Sequence, residues 1–78
     1  MMIHVGYGNY VEASKILAIT GIESAPLRRQ RQHAADRNKL IDCTMGRAAN
    51  SLVHLVDGYI VASASKPDTL LERTMKSE

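Results

Sequence analysis

Residues 51–64, SLVHLVDGYIVASA, consist of two apolar runs separated by Asp57-Gly58. Aspartate followed by glycine tolerates the positive φ angles of a two-residue hairpin turn, so this pair between apolar runs is a strong hairpin signal. We therefore predict a strand over residues 51–56, a tight turn at Asp57-Gly58 and a second strand over residues 59–64.

The run LIDCTM, residues 40–45, precedes this hairpin and alternates between two sides. A period of two is typical of a strand with one buried face. The alternation predicts that Ile41, Cys43 and Met45 share the core face, where the thiol of Cys43 acts as a small hydrophobe. Asp42 is expected on the opposite face as a cap, a salt-bridge partner or a solvated residue.

Two helices are predicted outside these strands. Ser24 follows a break at residues 21–24 and is suited to cap a helix with Pro26 in its first turn, where a missing N–H has no cost. This helix is expected to run to about residue 38. Pro67 opens a second helix, predicted over about residues 68–75.

The first twenty residues predict two further strands. Residues 2–5 are apolar and stop at Gly6, and residues 11–19 form a second apolar segment with Lys15 near its middle. Gly6, Gly8 and Asn9 tolerate positive φ, which predicts a tight hairpin or bulged bend between them. The sum is an α+β fold with a small, mostly antiparallel sheet of about five strands and two helices.

The length of 78 residues allows one domain, residues 1–78, and is too short for two. Such a domain buries only about 60–65% of the surface of its unfolded chain, so its core is marginal. Because one cysteine cannot form an intramolecular disulfide, self-association is the expected source of further stability. The sequence has no apolar run of transmembrane length and no secretory signal pattern, which predicts a cytoplasmic protein without a membrane partner.

Charge is distributed unevenly along the chain. Residues 1–47 contain seven Lys or Arg against four Asp or Glu, a balance of +3, whereas residues 48–78 contain three against four, a balance of −1. The asymmetry permits an anionic partner, and a symmetric oligomer multiplies any cationic patch.

Catalysis and metal binding have little support in the sequence. His4, His33 and His54 lie far apart and lack the close ligand pairs of zinc sites, and His54 is expected as a hydrogen-bonded, partly buried strand residue. Cys43 has no nucleophile signature, and the serines form no Gly-x-Ser-x-Gly elbow. We therefore expect a protein that is not an enzyme and that needs no cofactor.

Five basic residues are the candidate contacts to a polyanion. Arg47 directly follows a glycine, which lets the backbone turn sharply and approach a ligand closely. The other candidates are Lys15 in the predicted second strand and, on the first helix, Arg28, Arg29 and Arg31. For the helical arginines a solvated face is an equally good interpretation. Three scattered tyrosines, with no Trp or Phe, are too few for a stacking platform, which argues against binding of single-stranded nucleic acid.

An ordered series of short motifs crosses most of the chain. The motifs are Gly6-Tyr7-Gly8-Asn9, Glu23-Ser24-Ala25-Pro26-Leu27-Arg28, Asp36-Arg37 and Leu40-Ile41-Asp42-Cys43-Thr44-Met45-Gly46-Arg47. Over about residues 3–73 they resemble the RemA family, small bacterial regulators of extracellular-matrix, or biofilm, genes.

The resemblance implies a DNA-binding transcription regulator with a LytTR-like fold, assembled into a ring-shaped homo-oligomer such as an octamer. It also implies that DNA contacts an arginine of the second strand and arginines that follow the turn glycine. Those positions hold Lys15, and Arg47 followed by Ala48. Lysine keeps the charge of arginine without its planar fork, and Ala48 removes one cation per subunit.

Two functions therefore stay open from the sequence. The first is an oligomeric regulator that binds bent, AT-rich duplex DNA through Lys and Arg repeated around a ring, since nothing resembles a recognition helix that reads base edges. The second is an oligomeric regulatory or interaction module that has lost DNA binding.

Overall fold

Six strands and two α-helices form within residues 1–76, the part of the chain that the computed structural model describes. The strands are β1 (Met2–Gly6), β2 (Asn9–Glu12), β3 (Ile16–Thr20), β4 (Leu40–Asp42), β5 (Ser51–Leu55) and β6 (Ile60–Ser63). The helices are α1 (Ala25–Asp36) and α2 (Pro67–Lys76), and single 3-10 turns cover Ala13–Lys15 and Val56–Gly58. The predicted α+β class with two helices is confirmed.

The strands divide between two sheets, where the sequence predicted one. β1 and β2 form an antiparallel hairpin, and the other strands form a four-stranded sheet in the order β3-β5-β6-β4. β5 pairs antiparallel with β3 and with β6, whereas β4 runs parallel to β6. The arrangement is mostly antiparallel, as predicted; the LytTR-like fold stays a prediction.

The segment predicted as one strand over residues 11–19 is interrupted, which moves Lys15 out of the middle of a strand. The Glu12 carboxylate accepts the Ser14 N–H at 3.0 Å and binds the amino group of Met1 at 2.8 Å. These contacts hold the chain in the turn Ala13–Lys15, where β2 ends and the chain passes into the other sheet. Lys15 is exposed at the last position of this turn.

Both predicted tight turns are confirmed. Asp57 and Gly58 adopt φ angles of 65° and 81°, and the strands they connect are paired as a hairpin. Tyr7, at φ 51°, lies between two glycines that also have positive φ, and this bend connects β1 with β2. The Asn9 side chain stabilises the bend by donating to the Gly6 carbonyl at 3.0 Å.

The start of α1 is capped as predicted, because the Ser24 hydroxyl accepts the Leu27 N–H at 3.2 Å. The helix ends at Asp36, slightly before the predicted end. Asn38 adopts a positive φ of 59°, and the next N–H, that of Lys39, donates to the Ala34 carbonyl at 2.7 Å, which stops the helix. α2 begins at the predicted proline.

Apolar residues bury both faces of the four-stranded sheet. Leu52 and Val53 are successive residues of β5, and both are fully buried, on opposite faces. Val53 belongs to a core with the β1–β2 hairpin and α2, formed by Ile3, Val5, Val11, Cys43, Val53, Val61 and Leu70. Leu52 belongs to a second core with α1, formed by Ala34, Ala49, Leu52, Ile60 and Ala62.

The predicted strand over residues 40–45 is correct only in its first half. Cys43 is buried as predicted, but Ile41 is 45% exposed and Met45 is 74% exposed, which contradicts a shared buried face. β4 is an edge strand, and Ile41 lines an open hollow beside it. After Asp42 the chain leaves the sheet in a turn, so the alternation does not continue to Met45.

Candidate nucleic-acid interface

Arg47 lies at the end of a tight turn that follows β4. The Arg47 N–H donates to the Thr44 carbonyl at 3.1 Å, and the two residues between them adopt left-handed conformations, Met45 at φ 54° and Gly46 at φ 79°. Glycine accepts this conformation without strain, so Gly46 favours a turn at this place. Arg47 and its neighbour Ala48 are exposed on this turn.

Asp42 and Thr44 hold the base of the turn. One carboxylate oxygen of Asp42 accepts the Thr44 hydroxyl at 2.6 Å and the Thr44 N–H at 2.9 Å, and Thr44 is 2% exposed. These hydrogen bonds, first from the hydroxyl and then from the N–H, lower the pKa of Asp42. The turn is thus fastened to a buried residue, and Asp42 serves as a cap, one of the roles predicted for it.

Tyr7 contacts Arg47 from the bend between β1 and β2. The guanidinium carbon of Arg47 lies 5.4 Å from the centre of the Tyr7 ring, within the range of a cation–π interaction. Tyr7 is 45% exposed. The pair therefore presents a cation and an aromatic ring together at the surface.

The bend that carries Tyr7 is itself attached to the four-stranded sheet. The Ser63 hydroxyl, fully buried at the end of β6, donates to the carbonyl of Val5 in β1 at 2.7 Å. This hydrogen bond joins residues 58 positions apart and fixes the hairpin against the sheet. Sequence reasoning identified Tyr7 only as part of a motif; its position between two glycines was the available signal that it projects from a turn.

The predicted arginines of α1 are placed differently from one another. Arg28 and Arg31 line one surface hollow of about 400 Å³, while Arg29 is exposed outside it. The positive charge of Arg31 makes a small further contribution to the lowered pKa of Asp42, so it lies within electrostatic range of the anchor of the Arg47 turn. Arg31 is thus the helical arginine that the structure relates to the Arg47 turn.

Lys15 lies beside a surface hollow that Arg47 does not line. It lines a hollow of about 350 Å³ that is also lined by Tyr10 of β2 and Ile41 of β4. Within residues 1–76 no hydrogen bond or ring contact joins Lys15 to Arg47. The DNA-binding roles of Lys15, Arg47, Arg28, Arg29 and Arg31 stay predictions.

The other titratable residues have structural environments. His54 is half-buried and its ring lies 2.9 Å from the Thr20 hydroxyl, as expected for a hydrogen-bonded strand residue, and burial lowers its pKa. Burial, and to a smaller extent the charge of Asp42, raises the pKa of the Cys43 thiol, which keeps it neutral. Residues 1–76 contain no group of three or more His, Cys, Asp or Glu side chains that could hold a metal ion.

Among the described residues, no helix is long and apolar enough to cross a bilayer.

Comparison with known proteins identifies the family. Proteins named "Putative regulatory protein" in Bacillus cytotoxicus, Bacillus mycoides and Bacillus anthracis are each 40% identical to this chain over 76 residues, which cover 97% of this chain and 87% of theirs. The family model described as extracellular matrix regulatory protein A-like matches residues 2–74. The chain therefore belongs to the RemA-like family of regulatory proteins.

Proposed function

We propose that this regulatory protein binds duplex DNA as a transcription regulator of matrix genes in the cytoplasm. The observation that carries the proposal is Arg47, exposed on a turn that Thr44 anchors to the core and Tyr7 flanks. Lys15 and the α1 residues Arg28, Arg29 and Arg31 supply additional positive charge. The family resemblance supports a ring-shaped homo-oligomer, with an octamer as the working size.

An arginine whose position is restricted before binding, as that of Arg47 is, suits a narrow minor groove. The minor groove of AT-rich DNA is narrow and strongly negative, and inserted arginines exploit that potential without reading base edges. A side chain that is positioned before binding loses less conformational freedom on binding than a free one. The turn anchor and the Tyr7 ring both restrict Arg47, so preference for AT-rich, easily bent sequences follows.

Repetition of the Arg47 site around the ring supplies the affinity for DNA. One subunit contributes one or two phosphate contacts, which is too few for useful binding, whereas linked copies in a ring act at high effective concentration. Each neutralised phosphate contributes about 0.9 to the slope of log affinity against log salt. A ring that engages about eight phosphates therefore loses roughly 10³-fold or more in affinity between about 50 and 200 mM salt, while a single subunit shows a slope near two.

The test is a salt-series titration of labelled AT-rich duplex with the purified, sized oligomer, followed by fluorescence anisotropy. Arg47→Ala is expected to abolish binding and leave the oligomer intact, since Arg47 is exposed. Lys66→Ala, which also removes one exposed cation, is the matched control and should bind like the parent. Equal affinity of Arg47→Ala and parent at 50 mM salt contradicts the assignment of this site.

A second candidate is an oligomeric regulatory module that does not bind DNA. Ala48 favours it, because this exposed position next to Arg47 carries an arginine in the family pattern and here adds no charge. The same titration separates the two functions. Tight binding with a steep salt dependence rejects the module, whereas an oligomer that ignores duplex DNA at 50 mM salt rejects the DNA-binding regulator.

A further inference from the structure

A groove lies on the α1 side of the four-stranded sheet, at the end where β4 and β6 begin. It has a volume of about 450 Å³, and its apolar surface includes Leu17, Leu55 and Tyr59. Leu17 lies in the middle of β3, an outer strand of the sheet within residues 1–76, and is 70% exposed. An apolar side chain this exposed, on the free edge of a sheet, is typical of a surface that pairs with another chain.

Positive charge surrounds this groove. Arg37, exposed at the end of α1, and Lys39, just before β4, both line it. The Lys39 ammonium donates to the Asp57 carbonyl at 2.7 Å and lies 5.3 Å from the centre of the Tyr59 ring, so it is held at the groove. Asp57 supplies the carboxylate in the lining, so two cations, of which Lys39 is held in place, stand against one anion.

The outer face of α2 has the opposite character. Asp68, Leu71, Glu72 and Met75 are spaced i, i+3, i+4 and i+7, so they share one face of the helix, away from the fully buried Leu70. Leu71 is 52% exposed and Met75 is 66% exposed. This face therefore combines two apolar side chains with two carboxylates, which complements an apolar groove with two cations.

The helix α1, which lines the groove, and the helix α2 pack on opposite faces of the sheet, and both surfaces reach Leu17 on β3, where Asp68 and Leu71 line a second hollow beside it. α1 packs on the sheet face of Leu52, and α2 packs on the face of Val53. A contact between two different surfaces of a subunit joins copies head to tail, and such contacts close into a ring when the rotation between copies permits.

We infer that the outer face of α2 of one copy docks into the groove beside Arg37 and Lys39 of the next copy, and that this contact builds the homo-oligomer. The inference rests on the self-association in the proposed function and names its interface. Charge complementarity makes the contact specific, because two cationic grooves or two acidic helix faces repel each other.

Two charge variants test the contact. The groove variant combines Arg37→Glu with Lys39→Gln, and the helix variant combines Asp68→Asn with Glu72→Lys. In each variant alone, the helix face and the groove acquire the same sign of charge, so self-association is expected to weaken by at least about tenfold per contact. An equimolar mixture contains both complementary pairings, and it should recover assemblies of the parent's mass.

Sedimentation velocity over a concentration series measures the masses, and far-UV circular dichroism checks that each variant is folded. The matched controls are Arg29→Glu and Glu23→Lys, which reverse exposed charges outside the two surfaces and should assemble like the parent. Variants that are monomeric alone and assembled when mixed support the contact. Folded variants that stay monomeric in the mixture overturn it.

Other outcomes separate this inference from the proposed function. If both variants assemble like the parent and bind DNA, the interface is elsewhere and the regulator proposal stands. If Arg47→Ala binds DNA normally while the charge variants behave as expected, the interface stands and the DNA site is wrong. A titration with inorganic pyrophosphate, followed by NMR, tests a free anion as the alternative occupant of the groove. If pyrophosphate shifts the signals of Lys39 and Tyr59 in the parent, does not shift the signal of Tyr59 in the groove variant, and the groove variant assembles like the parent, the groove holds a free anion and the inference is overturned.

Discussion

Replacing Thr44 by valine removes one of the two hydrogen bonds that anchor the Arg47 turn while nearly preserving the shape of the side chain. Thr44 is 2% exposed and its hydroxyl donates to the Asp42 carboxylate at 2.6 Å. A hydrogen bond to a charged group contributes about 1.5–3 kcal/mol, and the exposure of the carboxylate reduces this. We therefore expect Thr44→Val to lower the free energy of unfolding by about 1–2 kcal/mol.

The assay is urea unfolding followed by circular dichroism at one fixed protein concentration, because self-association contributes to stability. Asp42→Ala and the double variant complete a double-mutant cycle, in which we expect a coupling energy of about 1 kcal/mol. A coupling below about 0.3 kcal/mol, within the usual error of additivity, refutes the claim that this pair anchors the turn.

Acidic pH provides a second measurement of the same anchor. Hydrogen bonds from Thr44 lower the pKa of Asp42 in the folded state, so the stability that the ionised carboxylate contributes is fully present above the unfolded-state pKa of about 3.9. This stability is lost as the pH falls from there through the lower, folded-state pKa. Thr44→Val weakens the shift and should flatten the dependence of stability on pH below about 4.

Two further predictions concern Tyr7 and His54. Tyr7→Leu removes a cation–π contact of about 0.5–1 kcal/mol with Arg47, so it should weaken duplex binding by about two- to fivefold in the anisotropy titration. The control Tyr7→Phe keeps the ring and should bind like the parent. An equal loss of affinity in both variants contradicts a role for the ring contact. Burial lowers the pKa of His54, so the unfolded chain binds the proton first and stability falls as the pH drops below about 6.5. Urea unfolding at pH 7 and pH 5.5 should show this loss in the parent and a smaller one in His54→Gln; equal losses contradict it.

Local signals predicted the turns and caps of this fold. The φ preferences of Asp57-Gly58 and the capping hydroxyl of Ser24 act within a few residues, and the structure places both in the predicted roles. The assignment of Arg47 to a turn followed from Gly46 in the same way. Structural features that depend only on residues adjacent in the chain could therefore be predicted from the sequence.

The structural features that the sequence did not predict depend on contacts between residues that are distant in the chain. The break after β2 depends on Glu12 reaching the amino group of Met1, and such a contact leaves no periodic signal. The pairing of Tyr7 with Arg47 requires the β1–β2 hairpin to be held against β6 through Ser63. Periodicity also assigned Met45 to the core, because it does not register that Asp42 ends the strand by accepting hydrogen bonds from the next turn.

The placement of the two proposed surfaces lets assembly and DNA contact operate together. Lys39 precedes β4 and Arg47 follows it, so the groove and the Arg47 turn lie at opposite ends of the same strand. We therefore expect a neighbour docked in the groove to leave the Arg47 turn accessible, so that a ring repeats this turn at regular intervals. Breaking the groove should reduce the salt slope of DNA binding towards the single-subunit value of about two, whereas Arg47→Ala should remove binding from an intact ring.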